Sequence, residues 1–505
     1  MTVSGSMKIG EVLNAVYDEE VGWRPATGQI KPVHVANGLV RAVTGEFYDT
    51  ASLVEFLISW KKDKVPDEER SYKRLVLEGR RDAYGYFADS EREFDRARRY
   101  LRGLLNADNA VYPSAENSAL TLTCREMASR SHQDSGLGDF GAALLRSGTS
   151  ELLAKALLRV LDVRRPEDPL TAIAWPLLGR DAKPARPKQG IGRTLTKKHH
   201  RQCLNQLGVA AERLARHEEQ QGNRLRTLER IVHFVCLATH AHAQALAARG
   251  VLDSRPPLLM AVIGGKRSDL AAASERSLES MYGQFEEWLI SEEAARLRER
   301  KPLMDGARLE ELSVDGRTVR SVLRQILSAK QRHEEPDEET LDARMADFED
   351  AKRSFGKDDP ALLMAHALVR SYLREYESGG PRSFLQGLAR KAGLLYPHFQ
   401  GNSRDKRVRP SVAILDVLVR ACVPPRESLP LDEFLDNLWG AFGLVVGGRR
   451  GEEGGDAELL LQNRIDIDPS HLVANTDALV DLLVGMGLAR RFADNVTFVG
   501  DGLVR

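Results

Sequence analysis

Three side chains near the middle of the chain have the types and spacing that metal chemistry uses. His233, Cys236 and His240 stand at i, i+3 and i+7, so one face of a helix presents all three, while His242 lies off that face. Neutral imidazole and thiolate are good zinc ligands, and Cys236 and His240, one turn apart, have the reach to share an ion. A fourth ligand has to come from elsewhere, with Cys203 a candidate. On that reading the chain is a metal-dependent enzyme. The competing reading is plain packing, because a buried cysteine behaves as a small hydrophobe and a buried histidine takes a hydrogen-bond partner.

The stretch that positions these residues runs from Asn223 to Gly250. Between Ile231 and Ala243 it reads IVHFVCLATHAHA, without a charged side chain if the histidines are neutral. A helix that is apolar all round belongs in a large core. The run is too short to cross a bilayer, and Arg224, Arg226, Glu229 and Arg230 precede it in the same helical pattern. Asn223 fits an N-cap and Gly250 a left-handed C-cap. The spacing therefore predicts the central helix of a large helical body.

A second kind of chemistry is carried by charge. Basic and acidic residues balance at 73 each over 505 residues, so the total implies no polyanionic partner. The distribution is uneven. The segment RDAKPARPKQGIGRTLTKKHHR holds Arg180, Lys183, Arg186, Lys188, Arg193, Lys197, Lys198 and Arg201 against one aspartate. Its two prolines and two glycines argue for a loop, and flexible Lys and Arg neutralise phosphates without sequence preference. A solvated loop, or one that docks on acidic protein, is the alternative. A second basic patch comprises Arg404, Lys406, Arg407 and Arg409. The run Gly264-Gly265-Lys266-Arg267-Ser268 opens a predicted helix, where backbone amides can hold a phosphate. It lacks the phosphate-loop spacing, and a pair of helix caps accounts for it equally. No catalytic constellation and no cofactor motif is found, so no catalytic residue or cofactor is assigned.

Length and composition suit two to four soluble domains. The four cysteines are far apart and form no CxxC pair, which fits free thiols in a reducing compartment. The first residues, MTVSGSMKIGEVL, have no basic region followed by an apolar run, so the expected location is cytoplasmic, away from membranes. Residues 1–64 read as a small mixed segment in which GQIKPVHVANGLV contains a short strand and SLVEFLISW a helix. A main helical body follows over 65–335, beginning with a long pattern from Asp67 towards Leu105 and continuing with helices near Glu116–Ser129 and Thr149–Val163. A long helix carries Leu278, Met281, Phe285, Trp288 and Leu289 on one stripe. HEEPDEET, around Pro336, marks the start of a second helical unit over 336–407.

The last segment, 408–505, changes character. SVAILDVLVRACV and LDEFLDNLWGAF read as helices, and a Gly-rich charged insertion follows. A helix with Leu479, Leu482, Leu483 and Met486 on one face ends at Gly487, and LARRFADNVTFVG forms two strands around Asp494-Asn495. This order of helix, helix, helix and hairpin resembles the winged-helix superfamily over about a fifth of the chain. The resemblance implies DNA binding through the third helix, but the residues do not follow it. A groove-reading helix needs Arg, Lys, Asn or Gln at base edges. Here Asp477 and Asp481 occupy exposed positions, and Ser411 to Arg505 holds eight Arg, no Lys and fifteen Asp or Glu. Only Arg490 and Arg491 on the hairpin, with Arg449 and Arg450 in the insertion, have the charge to touch phosphate.

The fold expected is thus mainly α, a multi-helix body with a winged-helix-like end carrying a short β-hairpin. The function expected is that of a non-enzymatic scaffold or adaptor in a multiprotein complex associated with nucleic-acid processing. Such an architecture is similar to accessory subunits of bacterial genome-maintenance or phage-defence systems. Its expected partners are other proteins, with non-sequence-specific nucleic acid as a further one. A DNA-binding regulator and a metal-dependent enzyme are the rival readings.

Overall fold

A computed structural model describes residues 16–25, 30–48, 105–107, 111–113, 134, 136–146, 151–162, 201–219, 223–250, 254–265, 268–299, 338–355, 359, 361–366, 380–397, 406–449, 455–493 and 496–502, together with positions 92, 96, 125, 128, 320 and 324. The described chain is mainly helical with a few short strands.

The body begins with a π-helical turn, Tyr17–Val21, and helix α1, Pro32–Thr44. The short strand expected within GQIKPVHVANGLV is not seen among its described residues, most of which belong to α1. Pro32 at the first helical position pre-sets the backbone angle, and α1 then buries nearly every residue, so tertiary packing overrides the weak propensity. Strands β1, Leu105–Ala107, and β2, Val111–Pro113, pair antiparallel; the helical pattern expected from Asp67 towards Leu105 lies outside the described residues, apart from the helical positions 92 and 96. Helices α2, Leu137–Arg146, and α3, Leu152–Leu161, follow; the second lies inside the expected Thr149–Val163. Helix α1 crosses α2 where Gly138 meets the Gly38 backbone, too close for any Cβ at position 138. The helix expected at 116–129 and the one at SLVEFLISW fall outside the described residues, apart from positions 125 and 128.

Helix α4, Arg201–Glu218, leads to α5, Arg224–Ala247, the predicted central helix. Its start is capped as expected, the Asn223 side chain accepting from the Arg226 amide at 3.1 Å. Its end turns through two left-handed residues, Arg249 and Gly250, and the Gly250 amide reaches back to the Ala245 carbonyl. Every residue from Ile231 to Leu246 is buried. Strand β3, Leu258–Leu259, and α6, Asp269–Glu299, come next, followed by α7, Glu338–Phe355, and α8, Gly380–Ala392. Leu278, Met281, Phe285, Trp288 and Leu289 form the buried stripe of α6, as their spacing predicts.

Strands β4, Leu395–Tyr396, and β5, Arg407–Val408, pair antiparallel and lead into the terminal unit. There α9, Val412–Cys422, β6, Ser428–Pro430, α10, Leu431–Phe442, and β7, Leu444–Val445, precede α11, Gly455–Gln462, and α12, Pro469–Gly485. Strands β8, Ala489–Arg491, and β9, Thr497–Gly500, form the expected hairpin, and β6 adds a third strand in the order β6-β9-β8. Part of the charged insertion folds as α11, with a left-handed Gly455 at its start.

The core runs without a break through position 408. Phe234 of α5 meets Phe442 of α10 edge-on at 6.2 Å, and residues of α9, α10 and α12 belong to the same apolar cluster as α5. Strand β3 pairs in parallel with β7. The fully buried Asn475 of α12 donates to the carbonyls of Met260 and Val446 at 2.7 and 2.8 Å and accepts from the Val262 amide at 2.8 Å. Arg255 is buried over the Trp439 ring and donates to the carbonyls of Trp439 and Gly440. Each of these polar groups finds partners on the far side of the seam, as burial requires.

Candidate interaction surface

The histidine–cysteine face of α5 is a dry interior. His233, Cys236 and His240 are each at most 4% exposed. Burial drives the pKa of His233 down to about 4 and that of His240 to about 4, the latter partly offset by the Cys236 carbonyl. Burial also raises the Cys236 thiol well above its ordinary value. Cys203 points its sulfur at the Ala241 carbonyl, 3.8 Å away, and burial lifts its pKa to about 11. Among the described residues no three His, Cys, Asp or Glu side chains are grouped to hold a metal ion. The helical spacing that suggested ligands is here the spacing of core positions: His240 stands edge-on to Tyr282 of α6 at 6.5 Å, and His242 bonds the Val21 carbonyl at 3.1 Å.

The basic residues divide into three groups. Arg180, Lys183, Arg186, Lys188, Arg193, Lys197 and Lys198 lie outside the described residues, as does Arg404; Arg201 begins α4. Lys406 and Arg407, expected on a phosphate-contacting surface, are instead buried. Lys406 donates to the Pro397 carbonyl at 2.7 Å, and Arg407 donates to the carbonyls of Gly264 and Gly265. The pairing of β5 with β4, and the link from Val408 to Ser274 of α6, carry their long stems inside. Arg409 stays half-buried. The hairpin arginines are exposed as expected: Arg490 lies over the Phe492 ring, and Arg491 reaches both Asp477 at 3.5 Å and Asp481 at 3.4 Å.

That last contact lies on an open face of the terminal unit. Asp468 caps α12, accepting from the Ser470 amide at 2.8 Å, and Pro469 starts its first turn. Leu472, Asn475, Thr476, Leu479, Val480 and Leu483 turn inward. Val473, Asp477, Asp481 and Val484 then fall on the outward side at three- and four-residue intervals, with Asp481's side chain 72% exposed. On the hairpin Phe492 and Val496 are exposed, and Phe492 packs edge-on against Phe498 at 5.7 Å. The outward face of α12 has two carboxylates between apolar ends and no cation of its own. Ser274, Tyr396 and Asn475, which hold the surrounding parts in place, carry no sequence signal beyond a polar or aromatic residue in a mostly apolar pattern.

Comparison with protein-family models, with curated proteins and with solved structures finds no match. No helix among the described residues is long and apolar enough to cross a membrane.

Proposed function

We propose that this chain is a non-enzymatic, cytoplasmic scaffold or adaptor subunit of a multiprotein complex associated with nucleic-acid processing, of the kind found in genome-maintenance or phage-defence systems. Its C-terminal unit is read as a winged-helix-like module that docks protein. One observation carries the choice of protein over DNA: Asp477 and Asp481 occupy the outward face of the third helix of the expected helix-helix-helix-hairpin order, and Arg491 is paired to both. A duplex approaching that face meets two carboxylates, and the arginine that would neutralise a phosphate is already engaged. The apolar ends at Val473 and Val484 are suited to a partner surface that brings cations and an apolar ridge.

The test compares tagged wild type with an Asp477→Lys/Asp481→Lys variant in pull-downs from native cells, with and without nuclease treatment. The expected result is a protein partner that survives nuclease and is lost with the charge reversal. Co-purification that the reversal leaves intact would sink the assignment to this face. A sequence-dependent gel shift abolished by Arg490→Glu/Arg491→Glu would replace it with the DNA-regulator reading.

A further inference from the structure

The loop before α6 and strand β5 bring together two guanidinium groups whose charge no described carboxylate balances. Arg407 is 4% exposed, and its Nη groups reach the carbonyls of Gly265 and Gly264 only at 3.4 and 3.3 Å. Its Nε is buried and has no hydrogen-bond partner. Arg409 stands two residues along on the same side of the strand, and both guanidinium carbons lie 5.1 Å from the centroid of the Tyr396 ring. The ring's negative faces offset part of this charge, worth less than an ion pair. Desolvation, with the Arg409 charge behind it, holds Arg407 below its ordinary pKa.

The position of this pair is opposite to what the local field favours. The carbonyls that Arg407 touches belong to the loop that starts α6, a 31-residue helix, so the Arg407 guanidinium faces its positive end, with Arg409 across the shared Tyr396 ring. Cations are stabilised at helix C-termini and anions at N-termini. Ser268 caps the helix by accepting from the Ala271 amide at 3.2 Å, and no helical partner exists for the amides of Asp269 and Leu270. The nearby Asp269 carboxylate is turned to solvent, 81% exposed, and comes only within 3.9 Å of His471. The approach is open: Gly264 and Gly265 are exposed, and a Cβ added at Gly265 would meet nothing within 4 Å. The two stretches lie far apart in the chain, and for the glycine loop alone a simple cap is a sufficient account. Joined to two unbalanced arginines, it is not.

We propose that a phosphate group binds at the start of α6, with Arg407 and Arg409 as its charge partners and the Gly264-Gly265 loop as its open side. A guanidinium fork matches phosphate oxygens two at a time, and the helix start supplies further donors. The phosphate comes from a small anion or nucleotide, or from a nucleic-acid backbone. This site is independent of the docking face on α12.

The test uses the full chain in low-salt chloride buffer, with thermal unfolding titrated by pyrophosphate and the anisotropy of a labelled eight-residue oligothymidylate as a second arm. A ligand that binds only the folded state raises the midpoint by mass action. Wild type is expected to respond at about millimolar pyrophosphate or below. Arg409→Gln, at a half-exposed position, should keep the ligand-free midpoint and bind about tenfold more weakly, the typical loss of one charge-assisted contact. Arg407→Lys keeps the charge without the fork and should also weaken binding; if it unfolds, Arg409→Gln decides alone. Oligothymidylate that binds and is displaced by pyrophosphate assigns the site to a nucleic-acid backbone, and pyrophosphate binding alone assigns it to a small phosphate ligand. A wild-type midpoint indifferent to pyrophosphate, or equal titrations for wild type and Arg409→Gln, overturns the site.

Discussion

Helices α5 and α12 both carry groups able to do chemistry, and their surroundings give those groups opposite fates. Helix α5 is packed among α6, α9 and α10 with other helices, and desolvation holds His233, Cys236 and His240 in their neutral forms. On α12 one side of the helix meets the body and the other meets water, so Asp477 and Asp481 remain on the surface where a partner can reach them. Ligand-like residue types on a helix therefore mean little until the access of water is known. The two carboxylates on α12 are ordinary residues in an accessible place.

The largest expected break in this contrast is in the core. Phe234→Ala on α5 removes a fully buried ring packed against Phe442, and should destabilise the protein by about 3–5 kcal/mol in urea unfolding. A cost below about 1 kcal/mol would mean that the α5–α10 seam is not packed as described.

Acid gives the next effect. The folded-state pKa of His233 and of His240 is about 4, below the ordinary 6.5. Between those values the unfolded chain binds more protons than the folded one, so stability falls as pH drops from 6.5 towards 4 and levels off below it. Each histidine should contribute a loss of about 2 kcal/mol by about pH 5, an upper figure for a rigid interior. Urea midpoints of wild type and His240→Gln, measured across that window, should converge as pH falls; parallel curves would show that His240 is not held neutral.

The smallest change in stability belongs to α12. Asp481→Ala should shift unfolding by no more than about 0.5 kcal/mol, since the residue is exposed and its pairing with Arg491 is screened by water. A loss above about 1 kcal/mol would make the acidic face part of the fold, and the contrast with α5 would then fail.

Much of this was legible in the sequence. The uncharged run Ile231–Ala243 with Asn223 before it foretells α5, and the alternation around Leu479 and Leu483 foretells α12 and its inward face. The hairpin followed from the strands flanking 494–495. What was not legible depended on long-range pairing. Nothing in Ser428–Pro430 reads as a strand until β9 lies beside it, and Leu258–Leu259 has no reason to face Leu444–Val445 from local pattern alone. Charge was misjudged for the same reason: Lys406 and Arg407 look solvated in a run of basic residues, and only the neighbours of β5 show that they are enclosed. The face of α12 was judged more reliably because a helix declares its outward positions through its own period.

The seam between α5 and the terminal unit also has a consequence for synthesis. Phe234 leaves the ribosome early, while Phe442 and the rest of α10 follow some two hundred residues later, which at ordinary elongation rates is a delay of about ten to forty seconds. During that interval one side of the buried α5 run has no permanent cover. The nascent chain must hold that side against provisional neighbours or a chaperone until its last fifth arrives, so a stalled or truncated product carries an adhesive surface that the finished protein does not have.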